Sequence, residues 1–160
     1  MKALFILLTL LSPLLAWNQV TDNFSDGDFT ANPVWNGTNA TYIVNAAQEL
    51  QLNNTVAATS YLSTPHNLSS LDNKQWELLV RQTFAPSSSN FGRVYLTSSS
   101  SDLSTNPDGF YLQFGDAGSI DAVRLFKSIS GVSTQICASP DGQIATSFTV
   151  RVKVVRDNTG

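Results

Sequence analysis

The chain has 160 residues, of which 42% are hydrophobic and only 13% charged, with a formal charge of −3. So few charges exclude a helical bundle built on Glu, Lys and Ala, and also a charge-driven disordered tail. The acidic balance, without any basic cluster, excludes phosphate-backbone binding as the main task, and one Cys with one His excludes an internal disulfide framework and a Cys/His zinc site.

In chain order, Met1 and Lys2 form a short positive start and Ala3 to Ala16 is an apolar run of 14 residues. A secretory core is ~7–15 residues long, whereas a membrane span needs ~20. Residues 1–16 therefore read as a signal peptide, although Leu14 stands where a small residue is usual before the cleavage point. This predicts an extracellular or cell-surface protein with no membrane span after signal removal. Residues 17–160 then form one domain.

Asp22 to Asn39 is rich in Asp, Asn, Gly and Pro and reads as an irregular stretch anchored by Phe24, Phe29 and Trp35. Short strands are expected at Tyr42–Val44, Glu49–Leu52 and Ser60–Ser63. The clearest strand runs from Gln75 to Phe84, with Trp76, Leu78, Val80 and Phe84 facing one way. Arg93 to Thr97 alternates, and Phe110, Leu112 and Phe114 share a face opposite Tyr111 and Gln113. Ala122–Phe126 and Val132–Cys137 suggest a hairpin around Ser130-Gly131, and Ser147–Arg156 is a last strand with Phe148, Val150, Val152 and Val154 inward. Strands recurring every ~10–15 residues between turn residues predict an all-β antiparallel β-sandwich or jelly roll. Asp157 to Gly160 is a turn signal after a strong strand, which predicts that the sandwich is truncated before its final strands, with an open edge left behind.

The residues give no catalytic constellation. Glu77 has Gln75 and Leu79 at its same-face positions, so a glycosidase acid pair would need a cross-strand partner. His66 sits in a turn and reads as a surface residue, and Cys137 reads as a buried structural thiol. Asp22, Asp26 and Asp28 are close enough in sequence to contribute to a Ca2+ site; the same run also reads as turn-forming Asp around Gly27. Five Asn-x-Ser/Thr triplets occur, at Asn23, Asn36, Asn39, Asn53 and Asn67, and are glycosylation acceptors in a eukaryotic secretory pathway.

Arg81, Arg93, Tyr95, Tyr111, Gln113 and Arg124 all fall on outward positions. If their strands are neighbours, they form a row suited to a glycan, a peptide or another cell-surface polymer, since aromatic faces stack on sugar rings and planar donors bond hydroxyls and carboxylates. The alternative is a solvated sheet face with cross-strand Tyr–Arg packing.

Asp22 to Phe29, followed by Pro33 to Gly37, resembles the start of a family of secreted proteins from Bacteroidetes. So do Glu49 to Leu52, Tyr61 to Pro65, Asn90 to Leu96 and Pro107 to Leu112. The resemblance implies an N-terminal concanavalin A-like or laminin-G-like jelly roll, found with lamin-tail domains and sorting signals further along the chain. It implies no catalytic residues. The expected function is a non-catalytic binding or adhesion module; the alternatives are a carbohydrate-active hydrolase using Glu77, or a ligandless spacer.

Overall fold

Period-two patterning decides the architecture. The computed structural model describes residues 20–118 and 120–159, so the signal-peptide assignment of residues 1–16 lies outside the described residues. The strands are β1 (Asn36–Gly37), β2 (Tyr42–Val44), β3 (Leu50–Leu52), β4 (Leu62–Ser63), β5 (Lys74–Gln82), β6 (Gly92–Ser98), β7 (Gly109–Phe114), β8 (Val123–Ile129), β9 (Val132–Ala138) and β10 (Phe148–Arg156). All pairings are antiparallel, and 3-10 turns at Asn39–Thr41 and Leu103–Thr105 are the only helical elements among the described residues. No helix there is long and apolar enough to cross a membrane.

The molecule is an all-β sandwich. One layer is a four-stranded sheet in the order β6-β7-β8-β9, and the facing layer is the long ladder of β10 with β5. Trp76, Leu78 and Val80 of β5, and Val150, Val152 and Val154 of β10, alternate with exposed neighbours and pack on Leu96, Leu112 and Phe114 of the larger sheet. Phe114 and Phe148 stack across the layers at 6.1 Å. Fully burying a side chain of this size stabilises the fold by roughly 1.5–3 kcal/mol. Short ladders, β1 with β4 and β2 with β3, organise the N-terminal segment.

Local chemistry fixes the corners. Ser130 and Gly131 both have positive φ (50° and 79°), as a two-residue hairpin of type I′ requires, and join β8 to β9 with Ile129 opposite Val132. Asp121, only 2% exposed, accepts the Asp116 amide on Oδ1 at 2.8 Å, while its carbonyl accepts the Ile144 amide at 3.2 Å. The carboxylate thus braces the β7–β8 loop internally, and the backbone carbonyl ties that loop to the segment leading into β10.

Two expectations are corrected. Phe84 lies beyond the end of β5 and is 47% exposed, so it does not continue the inward face of Trp76, Leu78 and Val80. Cys137 is exposed rather than buried, as is every residue of β9. The cause is the unequal size of the layers: two long strands face four, and among the described residues no strand covers the inner side of β9. A cleft of about 580 Å³ opens there between the sheets, lined by Leu112, Leu125, Cys137 and the consecutive residues Val150 to Val155.

Candidate functional site

The outer face of the four-stranded sheet gathers five of the six residues singled out by alternation. Register places Arg93, Gln113 and Arg124 side by side across β6, β7 and β8, and Tyr95, Tyr111 and Phe126 side by side in the next row. Arg81 is not among them. It is on β5, in the other layer, so its outward face is on the opposite side of the sandwich. There it pairs with Glu49 at 2.7 Å.

The aromatic row is a platform. Tyr111 is 1% exposed although it points to the outer face. Tyr95 and Phe126 flank its ring at 5.1 and 5.2 Å, and the Arg93 guanidinium lies over it at 4.7 Å. Tyr111 is therefore the base of the site and not a contact residue. Arg93 also lies 5.2 Å from the Phe91 ring. A guanidinium held between two aromatic faces keeps its planar donors in a fixed orientation.

Hydrogen bonds set the polar surface above this platform. Arg93 donates from Nε to Gln113 Oε1 at 3.1 Å and from Nη1 to Asn106 Oδ1 at 3.2 Å. Tyr95 donates its hydroxyl to the same Asn106 oxygen at 3.4 Å. Burial pushes the Tyr95 phenol up, and the nearby Arg93 charge partly opposes that shift. The phenol therefore stays protonated, as a donor, at neutral pH. Gln113 in turn donates from Nε2 to the Gly115 carbonyl at 3.0 Å.

The two arginines of the row differ in their electrostatics. Arg124, with a side chain 13% exposed, has Asp116 at 3.0 Å and Asp141 at 3.8 Å, and donates to Gln135 at 3.2 Å. Arg93 is exposed and contacts neutral amide oxygens and ring faces. Its remaining Nη donors are available to a ligand.

Asn106, Phe91 and Phe126 were missed as site residues by sequence reading. Phe126 was legible, being two residues beyond Arg124 on the same strand face. Asn106 was not, because it reaches the sheet from a loop, in a left-handed conformation (φ 52°) after the Leu103–Thr105 turn.

The other candidate groups serve local structure. Asp22 accepts from the Phe24 amide and from Trp35 Nε1, both at 2.8 Å. Asp26 accepts from the Asp28 amide at 3.1 Å, and Asp28 accepts from both the amide and hydroxyl of Thr30. Those Thr30 bonds hold the Asp28 carboxyl below its ordinary range. Among the described residues no three His, Cys, Asp or Glu side chains gather as a metal-holding group, so Asp22, Asp26 and Asp28 do not come together as one Ca2+ site. Glu77 accepts from Gln75 Nε2 at 2.7 Å and pairs with Lys153 at 3.4 Å. His66 is exposed, its Nδ1 accepting the Leu68 amide at 3.2 Å.

Fold and surface together define a class, an antiparallel β-sandwich that presents an aromatic-backed polar sheet face. Comparison with protein-family models, with curated proteins and with solved structures finds no match for this chain.

Proposed function

We propose that this chain is a non-catalytic binding or adhesion module of a secreted or cell-surface protein, and that it recognises carbohydrate through the outer face of β6, β7 and β8. The observation that carries this reading is Arg93. It is an exposed guanidinium without a carboxylate partner among the described residues, held on Tyr111 and Phe91 and flanked by the Asn106 and Gln113 amides and the Tyr95 hydroxyl. Fixed planar donors beside an aromatic edge suit sugar hydroxyls and carboxylates. The resemblance of Asp22 to Phe29 and Pro107 to Leu112 to secreted Bacteroidetes jelly-roll domains supports the same reading.

A glycan array probed with the folded chain tests it. Wild type should bind a defined set of glycans, and Arg93→Ala should weaken that binding at least tenfold without changing the circular dichroism spectrum. A blank array from folded wild-type protein would sink the proposal and leave a spacer role. Hydrolysis of a bound glycan that Glu77→Gln abolishes would establish the enzymatic alternative instead.

A further inference from the structure

The cleft between the layers is a second, unrelated feature. Strand β10 takes its backbone partners from β5 alone among the described residues. In an antiparallel ladder every second residue turns its N–H and C=O away from its partner. The outer edge of β10 thus offers about half of its amides and carbonyls to a further strand. Because Val150 to Val155 line the cleft as an unbroken run, that edge opens directly onto it. On one wall of the cleft Val150, Val152 and Val154 stand at the i, i+2 spacing of a strand, and on the other Leu112, Leu125 and Cys137 form an apolar row across β7, β8 and β9.

Charge selects the occupant. The cleft lining contains two cations, Arg151 and Lys153, and no carboxylate. Both face outward from β10, where Lys153 has Glu77 at 3.4 Å and Arg151 has no ion-pair partner among the described residues. A second copy of the chain, pairing antiparallel through its own β10 about Val152, would set Arg151 of one copy against Lys153 of the other. Like charges directly opposite on a ladder are destabilising.

We infer that the β10 edge is a strand-addition site for an extended partner peptide in which apolar residues alternate with acidic ones. The apolar side chains fill the cleft, the main chain completes the ladder, and the carboxylates meet Arg151 and Lys153. Main-chain bonds would supply affinity, and the pockets and charges specificity.

A nine-residue synthetic peptide alternating Val with Glu and Thr is the probe, with a Val/Lys/Thr peptide of the same length as its control, both titrated against the full chain. The acidic peptide should bind at least tenfold more tightly than the basic one, weaken with added salt, and slow amide exchange along β10. The double substitution Arg151→Glu, Lys153→Glu should reverse the preference. Equal binding of the two peptides, or protection of β9 rather than β10, would overturn the assignment. So would sedimentation of the peptide-free chain as a dimer with β10 amides already protected. The wild-type comparison stands on its own if the double variant does not fold.

Discussion

At the scale of single residues, Arg93 and Arg124 show how one row can hold two roles. Arg124 is enclosed by Asp116, Asp141 and Gln135, so its charge is satisfied within the fold. Arg93 is positioned by neutral groups and keeps its charge for a ligand. Its position depends on Asn106, which follows the Leu103–Thr105 turn, and that turn depends on Asp102. The Asp102 carboxylate caps it, accepting from the Ser104 amide at 3.0 Å and the Ser104 hydroxyl at 2.6 Å. These bonds, the hydroxyl first, hold the Asp102 carboxyl below the ordinary aspartate range. The sign follows from linkage: a carboxyl lowered in the folded state contributes stability that is complete above its unfolded value and is lost as pH falls through the folded one. The Ser104 amide resonance should therefore move with a midpoint below the ordinary aspartate value. Asp102→Asn should abolish that step, and a midpoint at or above the ordinary value would contradict the capping role.

At the scale of elements, β5 and β10 were legible in the sequence because each buries one face, and burial of one face imposes strict alternation. The β8–β9 hairpin was legible because Ser-Gly marks a turn between two strand-like runs, with Gly131 taking positive φ at no steric cost. Alternation reports a face but not a layer, which is why Arg81 seemed to join a row that lies on the other sheet. It also cannot report what a neighbouring strand lays over a residue. Tyr111 alternates with the inward Leu112 and is nevertheless buried, by rings from β6 and β8. One further element was silent. Between Tyr95 and Thr97 the β6–β7 register shifts, so that Leu96 is the extra residue of a bulge. Gly109 pairs beside it at φ 155°, and a Cβ there would stand 2.1 Å from the Thr97 carbonyl oxygen. Backbone cannot yield as a flexible side chain does, so Gly109→Ala should cost about 2 kcal/mol, in the range of local backbone strain. Urea unfolding measures this directly. A change below about 0.5 kcal/mol would show that the strands separate freely at the bulge. Gly131, whose added Cβ meets nothing within 4 Å, is the control for positive φ without a clash.

At the scale of the whole molecule, the two layers are mismatched, and stability should be distributed accordingly. Local opening is easiest where few apolar contacts and few partners hold the backbone. Strand β7 is hydrogen-bonded on both sides and carries Tyr111, Leu112 and Phe114, all at most 3% exposed. It buries both faces, the inner one in the core and the outer one under the aromatic row, so the candidate binding face rests on the best-held strand. Strand β9 is an edge with every residue exposed, including Val132 at 68% and Ile136 at 52%. The ladders of β1 with β4 and β2 with β3 span two and three residue pairs and have little to resist opening. Native-state amide exchange should therefore rank β7 as slowest and β9 and the short ladders as fastest, with β10 fast on its open edge and slow on the side facing β5. That split within one strand is the most informative part of the pattern. One set belongs to the inward valines and the other to the exposed residues between them, so the split reads the open edge together with side-chain burial. Uniform protection along β10 would mean that its outer edge is already satisfied, and it would remove the strand-addition site along with the instability assigned to that side of the sandwich.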